Sequence, residues 1–463
     1  MTVDTKHPQY EKMESEWKIV GACVIGQRAV KDLGKDVLPD PEESNAGNDG
    51  KRYRSYKQRA IYTNVTGRTV AALQGAAFRE EPTIKLGSKV GYLEHDADGA
   101  GQSLVQLSKD VLQSLISTGR EVLLVDMPVV EPGQTADKTT AQATIKRYGA
   151  LDLINWDTES MGGKSVLTLA VLREKYNAST EEFVKQMKDQ YRVLRLTEGV
   201  YTQQLYRDGL PQELLVPRGA TGSSFDFIPL FIAGAQSNDA AVDEIPISDI
   251  AYVNIGHYRN SADLEENAFI QGQLTLGISS DLSTEEWTTA NPNGVVVGAR
   301  TGHFLGPNGN FVSIQAAPSQ LCDKLQERKE AQMVALGAKL IEKRSTNDTA
   351  TGSKIDAAGE NSILNDLVMN VQEAIETCIF WIGLFMGESS EPEFIMNRQF
   401  FPESMDPQLL MAGIQLFDRG IIDKEDLQNS SRKAGLIEAD KTNEEIDGKV
   451  NDSNPINDNK PVT

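Results

Sequence analysis

Cysteine is scarce in this chain: three in 463 residues, Cys23, Cys322 and Cys378, all far apart. Their number and spacing point to buried thiols in a reducing compartment rather than to disulfides. Histidine is as rare, and His7, His95, His257 and His303 form no pair at metal-ligand or triad spacing. Long apolar runs are missing too. The longest, Cys378 to Met386, falls well short of the roughly 20 residues that cross a bilayer. The N-terminus is polar through Trp17, with no secretory leader, so the expectation is a soluble protein with no membrane partner. Positive charge is in deficit, 46 Lys and Arg against 67 Asp and Glu, for a net charge of −21. Phosphate contacts dominate non-specific affinity for nucleic acids, so this balance argues against a generic nucleic-acid binder.

Catalytic signatures are equally thin. Gly162-Gly163-Lys164-Ser165 looks like the end of a phosphate-binding loop, but the glycine required five residues before Gly163 is Thr158, and a strand pattern follows where a helix is needed. His257 with Asp263, Glu265 and Glu266 raises a metal site, yet a single histidine on a helix is more often a packed or hydrogen-bonded residue. No catalytic, cofactor or metal residue is therefore assigned, and the chain is read as a non-enzyme. The enzymatic alternative, a nucleotide-dependent hydrolase built on Gly163-Lys164-Ser165, would lose nucleotide binding in Lys164→Ala.

What is present is a long ordered series of elements, enough chain for about three average domains. Gln9 to Leu33 reads as one amphipathic helix with Tyr10, Met13, Trp17, Val20, Val24 and Ala29 near one side. A Pro, Asn and Gly-rich linker, Asp36 to Lys51, leads to a helix over Lys51 to Phe78. A helix from Ser103 to Ser117 and a buried-type strand, Glu121 to Asp126, meet at Gly119. Val129 to Thr140 reads as a surface loop. Strands are expected at Tyr148 to Asp157, Val166 to Arg173, Tyr191 to Leu196, Val200 to Tyr206 and Phe227 to Ile232, with a helix from Tyr176 to Lys188 and a hairpin at Thr197-Glu198-Gly199.

The second half carries the organising pattern. A helix starts at Ser248-Asp249, with Ser248 as cap, and runs to about Phe269. Strands at Leu274 to Ile278 and Gly294 to Gly298 follow, then a hairpin turning at Pro307-Asn308-Gly309-Asn310 between Phe304-Leu305 and Phe311-Val312. The next helix opens at Pro318, runs to about Arg344, and carries a broken apolar stripe of Leu321, Leu325, Met333, Leu336 and Leu340. Ser345 to Ala357 holds one large apolar residue, Ile355, and reads as a mobile loop. The third helix has the cleanest period in the chain: Leu364, Leu367, Val368, Val371, Ile375, Cys378, Ile379 and Ile382. A strand at Glu393 to Asn397, short helices starting at Asp406-Pro407 and Asp423, and an acidic tail expected to be disordered complete the chain.

Two long helices around a β excursion, a polar loop and a third helix opening Gly359-Glu360-Asn361-Ser362 resemble the core of phage portal proteins. The strings Asn254-Ile255-Gly256-His257-Tyr258-Arg259-Asn260-Ser261-Ala262-Asp263, Ala335 to Leu340 and Ala60-Ile61-Tyr62-Thr63-Asn64-Val65-Thr66-Gly67-Arg68-Thr69-Val70 are similar to a portal-like phage family catalogued as a domain of unknown function. The likeness runs from Tyr10 to about Leu436. It implies an α+β portal fold: wing 1–246, stem helix 247–271, clip 272–316, second stem helix 317–343, tunnel loop 344–358, long helix and return strand 359–402, crown helices 403–437 and acidic tail 438–463.

The resemblance further implies a homo-oligomeric ring, twelve copies at one capsid vertex, in the virion and in the host cytoplasm during assembly. Double-stranded DNA would pass through it without sequence specificity, and the terminase large subunit, head-completion adaptors and the major capsid protein would be its partners. Arg344, Ser345, Thr346, Asn347, Asp348, Thr349, Thr351, Ser353 and Lys354 would face DNA, while Trp287, Val295, Val297, Arg300, His303 and Phe304 would form a clip interface. The main alternative is another structural or adaptor protein of a virion, which would not need the helix, excursion, helix order.

Overall fold

A computed structural model describes residues 2–43, 49–128, 142–220, 222–272, 275–292, 294–295, 303–314, 320–340, 362–398 and 400, with isolated positions beyond. The chain divides into two units, 1–396 and 397–463. The expected crown helices and tail lie almost wholly outside the described residues.

The helices are α1 (Pro8–Ile25), α2 (Gln27–Asp32), α3 (Lys51–Arg59), α4 (Val65–Ala77), α5 (Leu104–Thr118), α6 (Ser248–Gly272), α7 (Thr284–Ala290), α8 (Gln320–Lys339) and α9 (Ile363–Met386). The strands are β1 (Thr83–Lys85), β2 (Arg120–Asp126), β3 (Thr144–Gly149), β4 (Leu153–Met161), β5 (Lys164–Asn177), β6 (Met187–Thr197), β7 (Val200–Arg207), β8 (Leu210–Leu215), β9 (Leu230–Gly234), β10 (Thr275–Ser279), β11 (Asn310–Ile314) and β12 (Glu393–Ile395). Every pairing among them is antiparallel: β3-β2-β9, the meander β4-β5-β6-β7-β8, and the pairs β10-β11 and β1-β12. With no parallel pairing among the described residues, this is an α+β fold.

The core forms where α5 and α9 cover β2 and β9. Leu107, Val111, Leu115 and Ile116 of α5 meet a strand buried from Arg120 to Val125, and α9 buries Leu367, Val371, Ile375, Cys378, Ile379 and Ile382. Each such aliphatic side chain contributes about 1.5–3 kcal/mol. Length and composition alone would let α9 cross a bilayer. Its apolar stripe is instead spent on this core. Burial pushes the thiols of Cys23 and Cys378 up, that of Cys23 to about 11, while Cys322 is half-buried.

Several sequence expectations need correction. The first helix breaks at Gly26, whose φ of 112° suits glycine. Asn64 fills the break: its Nδ2 donates to the carbonyl of Val24 at 3.2 Å, and its Oδ1 caps α4 by accepting the Gly67 amide at 2.8 Å. The same capping splits the expected Lys51 to Phe78 helix into α3 and α4, with residues 60–64 outside either. Tyr148 to Asp157 is two strands, β3 and β4, in different sheets.

The helix expected at Tyr176 to Lys188 does not form. Its ends extend β5 and β6, with Tyr176 paired to Lys188, and Asn177 Oδ1 accepts the amides of Ser179 and Gln186 to shape the loop between. Phe183 there is 91% exposed, so no apolar face is available to anchor a helix. The phosphate-loop look-alike is a hairpin turn: Met161 pairs with Lys164 across Gly162 and Gly163, both at positive φ.

Buried polar groups join the layers. Glu174 on β5 accepts from Tyr148 on β3 (2.6 Å), Arg192 (2.6 Å) and Gln190 (2.7 Å), tying the two sheets together. Glu121 on β2 is fully buried beside Arg147, and burial outweighs that cation to push its carboxyl up to about 7. A raised carboxyl favours the folded state while protonated. Its contribution is present below the ordinary value of 4.5 and is lost as pH rises through about 7. At about 1.4 kcal/mol per unit this is on the order of 3 kcal/mol. Glu121→Gln is expected to flatten stability between pH 5 and 7 in denaturant titrations; an unchanged slope would contradict the assignment.

Candidate functional site: paired helices and two closed excursions

α6 and α8 lie side by side, about 38 and 30 Å long at about 1.5 Å per residue. The gap in the α8 stripe is a point of contact with α6. Lys329 occupies it, and its Nζ donates to the carbonyl of Gly256 at 2.8 Å. A Cβ on Gly256 would stand only 3.2 Å from that Nζ, so glycine permits the approach. Beside it His257, nearly fully buried, sets Nε2 3.1 Å from Glu330 Oε1. Asp263 instead accepts from Tyr56, and Glu266 pairs with Arg59 and Arg52. Among the described residues no His, Cys, Asp and Glu group could hold a metal. Met333 and Leu340 are buried, but Leu321, expected on the same stripe, is 67% exposed, and Val334 is 71% exposed.

The motif from Asn254 to Asp263 proves to be a row of docking points. Asn254 Oδ1 accepts from the amide (3.1 Å) and the hydroxyl (2.9 Å) of Thr66, and its Nδ2 donates to the carbonyl of Thr63 at 2.9 Å. Ser261 Oγ accepts the Ile61 amide at 3.1 Å, and Arg259 Nε donates to the carbonyl of Val37 at 2.7 Å. The string Ala60 to Val70 is the other half of this joint. Two strings singled out separately in the sequence are therefore one interface.

Both connections leave and return at one place. Between α6 and α8, β10 pairs with β11 from Thr275↔Ile314 to Ser279↔Asn310. The turn at Pro307 to Asn310 is present, but β11 pairs with β10 and not with Phe304-Leu305. Gly294 and Val295 are not in a strand, and the rest of that expected strand lies outside the described residues. Asp281 makes the difference by accepting the Asn308 amide and side chain (3.3 and 3.0 Å), which holds the turn against the start of α7. Between α8 and α9, the amide of Leu364 donates to the carbonyl of Leu340 at 3.3 Å, with Ser362 capping α9.

Of the expected clip residues, Trp287 lies half-buried on α7, a helix the sequence reading missed although Ser283 and Glu286 form a capping box. His303 is half-buried, edge-on to Phe311 at 6.4 Å, and Phe304 is 62% exposed. Val295 is half-buried; Val297 and Arg300 lie outside the described residues. Asn291, also missed, joins the set: its amide donates to Trp287, its Nδ2 to the Phe304 carbonyl at 3.1 Å, and its Oδ1 sits 3.3 Å from His303 Nδ1. Exposed apolar side chains here are Phe304, Val312 (51% exposed), Ile278 and Phe311; the last two are directly opposite across the β10-β11 pair and share one face, with Val312 on the other. All nine loop residues, Arg344, Ser345, Thr346, Asn347, Asp348, Thr349, Thr351, Ser353 and Lys354, lie outside the described residues.

The helix pair, both excursions and α9 coincide with a known sequence family. Residues 246–386 match DUF4055, a domain of unknown function. The DUF4055 region thus begins two residues before α6 and ends with α9. No curated protein matches the chain. Among solved structures, the chain is similar to a chain in the neck of an empty GTA particle computed with C6 symmetry (14% identity, TM-score 0.41, 80% of this chain and 90% of that one). It is also similar to one in the virion of a native gene transfer agent particle (13%, 0.40, 85% and 96%) and one in the neck of a native GTA particle computed with C12 symmetry (14%, 0.40, 82% and 92%).

Proposed function

We propose that this chain is a portal subunit: copies close into a ring, twelve by the portal resemblance, at one vertex of a virion capsid, with double-stranded DNA passing through the centre. The observation that carries the reading is the helix pair whose two excursions are each closed at the base, one by the β10-β11 ladder and one by the Leu340 to Leu364 hydrogen bond. Such a layout lets a clip and a loop project while the helices form a wall. Leu321 and Val334 expose apolar surface that no described residue covers, as a closed ring of neighbours would require. The clip would dock the terminase large subunit and later the head-completion adaptors, with the major capsid protein around the ring. Arg344 and Lys354 would meet phosphates only transiently, in keeping with a net charge of −21.

Electron micrographs of the purified protein viewed down a symmetry axis test the ring directly. Closed rings are expected; monomers at every protein concentration and salt would sink the reading. For the clip, Phe304→Asp with Val312→Asp is expected to weaken ring formation or motor docking at least tenfold, since each puts a charge on exposed apolar surface. Unchanged assembly and docking would show that this surface is not an interface.

A further inference from the structure

Residues 2–7 belong to no helix or strand, yet they are fastened along the edge of β4. The His7 amide donates to the carbonyl of Ile154 at 2.9 Å, and Asn155 Nδ2 donates to the carbonyl of Thr5 at 3.0 Å. The His7 ring stacks on Trp156, centroids 4.0 Å apart and planes 25° from parallel. The same ring caps α1, its Nδ1 accepting the Gln9 amide at 3.2 Å. Arg120, almost fully buried on β2, holds its guanidinium carbon 4.1 Å from the Trp156 ring centroid. Two groups that close to one centroid cannot share a face, so Trp156 separates the imidazole from the guanidinium.

We propose that residues 2–7 form a pH-released strap over the edge of β4, with the neutral imidazole of His7 as its fastener. Accepting the Gln9 amide requires a lone pair on Nδ1, which imidazolium lacks. Protonation would therefore turn the cap into a donor facing a donor at the positive end of α1. It would also set a second cation across Trp156 from Arg120. Asp157 on β4 and Glu11 in the first turn of α1 favour the cation; Lys6 is already paired with Glu14, and Asp239 and Asp243 act on Arg120. Burial first, then Arg120, hold the His7 pKa below 6.5 against the pull of Asp157. The strap's fastening is thus complete above pH 6.5 and is lost as pH falls through the lowered pKa. Release uncovers the backbone of β4 from Ile154 to Trp156, an unpaired strand edge able to take another extended segment.

Hydrogen exchange of residues 2–10, corrected for the intrinsic pH dependence of amide exchange, tests this on the full-length protein at pH 7.5 and 4.5. Protection of the His7 and Gln9 amides is expected to drop about tenfold at the lower pH, the scale of a lost helix cap. His7→Asn keeps a capping oxygen without a titrating ring, and its protection should be the same at both pH values. Constant protection in the wild type, or an equal drop in His7→Asn, would overturn the strap.

Discussion

On the portal reading proposed above, replacing Thr346 to Lys354 with a short Gly-Ser linker is expected to leave the ring assembled and to lower the DNA retained per particle several-fold. The reason is local. The bond from Leu364 to Leu340 closes the base of this connection whatever its content, and shortening a closed loop changes its entropy by only about 0.6 kcal/mol per halving. The flanking helices keep their own buried residues, Met333 and Leu340 before the loop and Leu364, Leu367 and Val371 after it. Quantifying assembly by microscopy and packaged DNA by nuclease protection separates the outcomes. Failure to assemble would make the connection structural, and normal DNA content would remove it from the channel.

Asn254→Leu, within the region that matches DUF4055, should cost about 2–5 kcal/mol. It strands the buried Thr66 amide and hydroxyl, each worth roughly 1–3 kcal/mol when unpaired, while the Thr63 carbonyl keeps the Val65 amide at 2.8 Å. Because the Thr66 amide is one of the orphan donors in the first turn of α4, the loss also frees that helix from α6. Tyr252→Ser, two positions away on the exposed side, should stay within about 0.5 kcal/mol. Chemical denaturation compares the two; equal effects would show that Asn254 is not the joint described above.

Helices α5 and α9 were legible because their apolar periods are long. Leu104 to Ile116 and Leu364 to Ile382 each repeat at three and four residues, and both elements form close to the expected bounds. Short amphipathic stretches misled. Tyr176 to Lys188 has the spacing of a helix, but β5 and β6 claim its ends through ladder hydrogen bonds that no local pattern reveals. Likewise Lys329 looked like a break in the α8 stripe, when its stem and ammonium fill the seam over Gly256. Asn291 gave no signal at all, since a buried side-chain amide bridging two loop segments depends on both ends of the excursion.

By itself the sequence determined the acidic character, the scarcity of cysteine and histidine, the α+β class and the order of long helix, excursion, long helix and third long helix, because composition and apolar period are local properties. Only the tertiary structure decided that the motif at Asn254 to Asp263 clasps residues 37–66, that β11 returns to β10, and that residues 340 and 364 meet. Those facts rest on hydrogen bonds between residues far apart in the chain. A single donor or acceptor in the sequence does not say which partner it will find.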